Sequence, residues 1–331
     1  MTKSGAIVNN LSKKFFPTNP IKLVDIGASG GLNPNWQPFE ESLEVIGFEP
    51  DPRAYKELAA ADNKRIKYFN IGVHSEKNII DFNLYRQQTA SSIYKPKTAL
   101  LKQFPRAERL EVIGLEKITV DSLDHILSDG PKTDVDFLKI DTDGNELAIL
   151  NGAKNTLSEQ IFGIELEVYF AQIRYEMPVF SDVDQYLRGH GFELFDIRRG
   201  YWKRAIGEKY GNDKGQLIVG DALYLKNIES FYQQVSEDHD ASRRKEKIVK
   251  AISVCLIYGY YDYALQLLDH SASMFQSAEG EYIQSQLQSI IRNGRKIPNF
   301  RGRGRIAQFF MTMSRFIEHP TWAFGDQSLG N

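Results

Sequence analysis

Residues 24–31 read Val24-Asp25-Ile26-Gly27-Ala28-Ser29-Gly30-Gly31, an apolar strand running straight into a glycine-rich turn. Glycine suits such a turn because a Cβ would hold a ligand away from the backbone and because the chain there can need positive φ. The spacing departs from the G-x-G-x-x-G of dinucleotide folds. Outward from this turn, short runs rich in Val, Ile and Phe recur at 22–28, 44–50, 66–73, 135–141, 162–168 and 192–197, each reading as a buried strand. Helical patterns separate several of them, at 52–62, 146–158 and 180–191, the last with Ser181 as its expected cap and Gly189 and Gly191 near its end. Strand and helix in alternation predict an α/β fold, a parallel sheet covered on both faces. The second run ends in Gly47-Phe48-Glu49-Pro50. An acid at the carboxyl end of strand two, about 20 residues beyond a glycine turn, is where a carboxylate grips a ribose diol. Turn and acid together indicate an adenosine-bearing ligand.

The interval 74–134 holds further strand candidates at 80–86 and 117–123 around the polar stretch 87–97, QQTASSIYKPK, which reads as a functional loop or a plain surface excursion. Residues 221–227 read as a closing edge strand. With 331 residues, 42% of them hydrophobic, the chain can bury a full core, which excludes a disordered or fibrous protein. Lys plus Arg (41) nearly balance Asp plus Glu (43), so no whole-chain field favours nucleic acid. A single cysteine, Cys255, makes no internal disulfide, and the first residues lack the apolar stretch of a signal peptide, which points to the cytoplasm. No window approaches the roughly 18 consecutive apolar residues of a membrane-spanning helix.

Composition changes after about Asn227. Residues 1–20 are expected to form an N-terminal segment, 21–227 the α/β domain, and 228–331 a separate helical extension. Residues 259–269 are similar to one helical hairpin of a tetratricopeptide repeat, without a second copy at the required period. Six basic residues and no acidic one lie between Arg292 and Arg305, followed by IAQFFMTMSRF. This basic amphipathic segment suits peripheral contact with an anionic membrane, at its inner face, or with an acidic protein partner; a solvated face is the competing reading.

The blocks VDIGASGG (24–31), GFEPDP (47–52) and above all VDFLKIDTDGNELAILNGA (135–153), followed by IELEVYF (164–170), resemble the FkbM family of S-adenosylmethionine-dependent methyltransferases over roughly residues 22–200. The resemblance implies a Rossmann-like class I methyltransferase fold with a mainly parallel seven-stranded sheet, and S-adenosylmethionine as cofactor. In the family's D-x-G-A-N-x-G, Asp25, Gly27, Ala28 and Gly31 match while Ser29 replaces the asparagine. This implies that Asp25 and the turn hold the methionine half of the cofactor, and that Glu49, next to Pro50, takes the ribose hydroxyls. In K-I-D-x-E-G-x-E, Lys139, Ile140, Asp141, Gly144 and Glu146 match and Asp143 stands in for the glutamate.

Asp141 also closes the fourth parallel strand, and open α/β sheets bind ligands at that edge. Methyl transfer from a sulfonium to a hydroxyl is an in-line displacement in which a protein supplies alignment and a proton acceptor. Asp141 is the first candidate base, and it would also touch the cofactor. Asp143 and Glu165 are further catalytic candidates. A carboxylate is a weak base toward an alcohol, so the role calls for burial or for a divalent ion; Asp141 and Asp143, with Glu165, offer hard oxygen ligands for Mg²⁺. Against this, Asp143 or Glu146 can cap the next helix. Glu165 falls at the family's I-E pair and is expected at the acceptor, with Glu167 toward solvent or a neighbouring helix. Ser91 and Ser92 lie in the stretch whose family counterpart covers the active site. Tyr169, Phe170, Arg174 and Tyr175 suggest a saccharide surface, or else helix packing. His74 is a weaker candidate proton acceptor, since such residues are more often simply hydrogen-bonded.

Two other functions compete. Asp141-Thr142-Asp143 spells the D-x-D of a metal-dependent glycosyltransferase, and a non-catalytic scaffold would act through the helical tail. A calcium loop fails because Glu146 stands where glycine is needed. The expected activity is therefore O-methylation of a hydroxyl on a sugar, a glycan precursor or a related natural product.

Overall fold

The structure, a computed structural model, describes residues 3–60, 63–129, 134–210, 215–291, 300–317 and 322–325. Its strands are β1 (Ile21–Ile26), β2 (Leu43–Phe48), β3 (Ile66–Phe69), β4 (Gly72–His74), β5 (Asn78–Tyr85), β6 (Val112–Ser122), β7 (Phe137–Ile140), β8 (Gly163–Tyr169), β9 (Phe192–Trp202), β10 (Gln216–Lys226) and β11 (Ala323–Gly325). The main sheet runs β11-β9-β10-β8-β7-β1-β2-β3. The block from β3 through β8 is parallel. β10 is antiparallel to both of its neighbours, and β11 to β9. The Rossmann-like expectation of seven strands is met, with a short eighth added from the end of the chain.

Residues 221–227 do not close an edge. β10 lies between β8 and β9, and Ala222, Leu223, Tyr224 and Leu225 are all buried, so both of its faces are covered, as a central strand requires. The run 66–73 is two strands. The Asn70 side-chain amide donates to the Glu49 and Pro50 carbonyls at 2.8 and 3.2 Å. Beyond it the chain leaves β3 and starts a second sheet, β4-β6-β5. The helical pattern 146–158 breaks at Gly152, where a Cβ would lie 2.1 Å from the His74 carbonyl oxygen. Helix Phe180–Gly189 is opened by the Asp182 carboxylate accepting from the Val179 N–H at 2.8 Å. Ser181 is already inside its first turn and is not the cap.

Alternation along the strands divides the core. Val24, Ile26, Leu138, Ile140, Ile164, Leu166 and Val168 face a layer built from the helices between 146 and 189. Ile21, Leu23, Val45 and Phe137 face the opposite way, against helix Lys3–Phe15 and the helices from 228 onward, in one continuous cluster with Ile248, Ile252 and Cys255. Residues 228–291 therefore share their core with the sheet. Asn227 caps the first of these helices, its Oδ1 accepting from the Ser230 N–H at 2.8 Å. Helix Ala241–Tyr258 turns through Gly259, at φ +84°, into helix Tyr261–His270, so residues 259–269 hold the turn and one arm of a hairpin whose other arm precedes them. Residues 292–299 of the basic segment lie outside the described residues. Helix Arg303–Ile317 follows, with Ile306, Phe309, Phe310 and Met313 exposed. Among the described residues no helix is long and apolar enough to cross a membrane.

Candidate active site

β1 and β2 end side by side, Ile26 opposite Phe48. Past β1 the chain turns sharply, and Gly27 N and Ala28 N both donate to the Phe48 carbonyl, at 2.9 and 3.1 Å. Gly27 has φ +81°, and a Cβ there would lie 1.8 Å from the Asp141 carbonyl oxygen. Only glycine lets β1 and β7 release their chains so close together. Ala28 is buried beneath the turn, and Gly31 N donates to its carbonyl at 3.0 Å. Asp25 is buried as well, paired with Lys139 at 3.1 Å; burial raises its pKa and Lys139 opposes the rise. Asp25, Ala28 and Gly31 thus support the turn from below, while Gly27 and Ser29 line the crevice above it.

Glu49 follows β2 and is 5% exposed. It accepts from the Asp51 N–H at 2.9 Å and from the Ser29 backbone, so the glycine turn and the strand-two acid are one structure. Burial pushes its pKa up to about 7. Turn, acid, Pro50, Ala54 and Phe82 line an open crevice of about 560 Å³, roofed by Gln88, Thr89 and Ser91.

A second crevice, of about 740 Å³, lies beyond it, and Thr89, Asp141 and Asp143 line both. Asp141 directly follows β7, its N–H donating to the Ile26 carbonyl at 2.9 Å; its side chain is 46% exposed and lies 3.7 Å from Lys139 Nζ. Asp143 has φ +56°, a conformation that costs a non-glycine residue of order 1–3 kcal/mol. It is held there by Tyr169 Oη, donating at 2.9 Å, by the Arg174 guanidinium on the same oxygen, and by Ser92 Oγ, donating to its carbonyl at 2.8 Å. Burial raises the Asp143 pKa against the pull of Arg174. Glu146 accepts from Thr142 N, Thr142 Oγ1 and Gly144 N at 3.1, 2.9 and 3.2 Å. It closes the loop over the next helix, the structural role the sequence left open, and burial brings its pKa to about 7.

Several expectations are corrected. Glu165 lines neither crevice. It is buried behind them, accepting from Tyr258 Oη at 2.5 Å and from Asn33 Nδ2 at 3.4 Å. The two-residue strand period puts Glu167 on the same face, one step nearer the ligand edge, and Glu167 lines the second crevice with Asp141 and Asp143. Its Oε2 is buried with no hydrogen-bond partner, and burial next to Asp143 and Asp141 raises its pKa well above the usual carboxylate range. Ser92 is buried and lines neither crevice; Ser91 lines the first, its Oγ accepting from Tyr85 N at 3.1 Å. The suggested saccharide surface shrinks to Tyr169 and Arg174, whose polar ends are taken by Asp143. Phe170 packs on Phe180, and Tyr175 points outward. His74 is half-buried beside Ser75, away from both crevices.

A divalent ion does not fit Asp141 and Asp143. One oxygen of Asp143 is taken by Tyr169 and by the fixed positive charge of Arg174, and among the described residues no three acidic, histidine or cysteine side chains are grouped to hold a metal. The same contacts remove the D-x-D reading, which needs both carboxylates free for a metal.

The sequence model of the methyltransferase FkbM domain matches residues 25–194. The chain belongs to the FkbM methyltransferase family. Similar solved structures include the methyltransferase FkbM from Methylobacillus flagellatus, at 17% identity and TM-score 0.36, covering 65% of this chain and 47% of that one. This chain thus spans about half the length of that protein. A precorrin-6y C5,15-methyltransferase from Geobacter metallireducens aligns at 11% identity and TM-score 0.31, over 67% of this chain and 88% of that one. A Burkholderia thailandensis 1,6-didemethyltoxoflavin-N1-methyltransferase with bound S-adenosylhomocysteine aligns at 11% and TM-score 0.27, over 68% and 79%. A comparison with curated proteins gives no match.

S-adenosylmethionine fits the first crevice of this FkbM-family chain. Gly27 and Ser29 line the space that would take the methionine half, buried Glu49 would accept from two vicinal hydroxyls, and Pro50, Ala54 and Phe82 would give apolar walls to a purine. Cofactor affinity is then expected to depend on pH. The ligand-free Glu49 titrates at about 7, and ribose hydroxyls favour its ionised form, lowering that pKa in the complex. Affinity for S-adenosylhomocysteine should rise by up to about tenfold per pH unit as pH 7 is approached from below, then level off. Calorimetric titration between about pH 5.5 and 8.5 checks this, and Glu49→Gln should flatten the curve while weakening binding about ten- to hundredfold.

Proposed function

We propose that this protein transfers the methyl group of S-adenosylmethionine to a hydroxyl oxygen of a sugar, a glycan precursor or a related natural product. The observation supporting this reading is that two crevices meet at Asp141, one suited to an adenosine cofactor and the other lined by acids and aromatic rings. When bound, S-adenosylmethionine supplies an electrophilic methyl carbon.

The chain's own residues supply the rest. Asp141, at the junction, accepts the hydrogen bond and then the proton of the acceptor hydroxyl. That proton turns acidic only as the new carbon–oxygen bond forms, so a half-exposed carboxylate suffices as its acceptor. Arg174 and Tyr169 hold Asp143 still and with it the 141–144 turn. Glu167, whose pKa burial raises well above the usual carboxylate range and whose Oε2 has no partner among the described residues, orients the acceptor by a hydrogen bond. Gln88 to Ser91 cover the junction and limit water, and Tyr169 and Trp202 offer ring faces to an acceptor.

Mass spectrometry of metabolite extract incubated with the protein and methyl-labelled S-adenosylmethionine tests the reading. The expected result is a metabolite carrying the label on oxygen, as an ether. Label on nitrogen or carbon, or no transfer at all, would refute it.

A further inference from the structure

The acceptor crevice holds two arginines, and only one is committed. Arg174 is 1% exposed, paired with Asp143, and donates to the Ala90 carbonyl at 3.2 Å. Arg109 has no carboxylate and no side-chain hydrogen bond among the described residues, although it lines the same space. It stands on the short turn Ala107–Leu110. Gln87 N donates to its carbonyl at 2.8 Å, and its own N–H donates to the Arg106 carbonyl at 3.2 Å. Its guanidinium lies 4.7 Å from the ring centre of Trp202 and 4.5 Å from that of Trp322. The two indoles lie side by side, 5.7 Å between ring centres, and hold the guanidinium by cation–π contact, while among the described residues its N–H groups have no hydrogen-bond acceptor. Burial pushes its pKa below the ordinary arginine range, yet a guanidinium stays charged in a protein. Of the acids near it, Asp143 is bound by Arg174, Asp141 shares Lys139 with the buried Asp25, and burial raises the pKa of Glu167.

Resting on the reading that this crevice takes the methyl acceptor, we infer that the acceptor carries an anionic group, a carboxylate or a phosphate, which Arg109 binds edge-on while the reacting hydroxyl lies toward Asp141. A planar fork with free N–H edges matches either anion through two parallel hydrogen bonds. Trp202 and Tyr169, which line the same crevice, add selectivity for a ring-bearing acceptor and leave the charge to Arg109.

Two of the chain's three tryptophans flank Arg109, so tryptophan fluorescence reports on this site. With the protein saturated in S-adenosylhomocysteine, D-glucuronate and D-glucose 6-phosphate are titrated against neutral D-glucose. At least one charged sugar is expected to bind about ten- to hundredfold more tightly than glucose, and the stronger of the two tells carboxylate from phosphate. Arg109→Gln should remove the preference and Arg109→Lys should keep part of it. S-adenosylhomocysteine affinity, which also shows that each variant is folded, should stay within about twofold of the parent. The inference is overturned if charged sugars bind no better than glucose, or if Arg109→Gln keeps the preference, while S-adenosylhomocysteine still binds. Failure of the parent protein to bind S-adenosylhomocysteine would instead sink the methyltransferase reading.

Discussion

Asp141→Asn is expected to lower methyl-transfer turnover by about a hundred- to ten-thousandfold while leaving S-adenosylhomocysteine affinity within a few-fold. The substitution keeps the shape of the side chain and the N–H bond from Asp141 to the Ile26 carbonyl, so the turn beneath the cofactor survives. What disappears is the ability to take a proton at the only place where both crevices and a carboxylate open to substrate coincide among the described residues. The loss corresponds to about 3–5 kcal/mol of transition-state stabilisation. Single-turnover rates and calorimetry on the same preparation separate the two quantities. A variant with undiminished rate would show that Asp141 is not the proton acceptor.

The second large effect concerns stability. Arg174→Met should destabilise the protein by about 3–5 kcal/mol, because it strands the buried Asp143 carboxylate without its cation. It also removes a restraint that keeps Asp143 at positive φ. Adding Asp143→Gly should recover most of the loss, since glycine accepts that backbone conformation and carries no charge to bury. Chemical denaturation of the parent, both single variants and the double variant gives the coupling energy. Additive effects would show that Arg174 and Asp143 do not stabilise the fold through their contact. The rescued double variant would still be slow, as its 141–144 turn has lost the Tyr169 and Arg174 anchors.

Why some of this was legible in the sequence and some was not comes down to range. The glycine turn, Glu49 and the 139–146 block are local signals, and the structure joins them through backbone contacts between adjoining strand ends. β10 was placed at an edge because a run of four apolar residues marks coverage on both faces but does not name its neighbours. Glu165, Glu167 and Tyr169 share one strand face by the two-residue period, which does not tell which of the two acids reaches the crevice. Arg109 had no signal of its own. Its meaning arises only where the end of β9 and a residue next to β11 bring Trp202 and Trp322 to it, and no local pattern foretells that meeting. The metal expectation fell for the same reason: Arg174 reaches Asp143 from a distant loop, and its charge decides what that carboxylate can bind.

Trp322 belongs at once to the clasp on Arg109 and to the end of the chain, where β11 adds itself to β9. Only residues 318–321 separate it from the helix whose Phe309 and Phe310 stand clear of the body. A molecule held at that helix would therefore sit four residues along the chain from the indole that touches Arg109. Where the enzyme is anchored and which molecules it admits would then be linked.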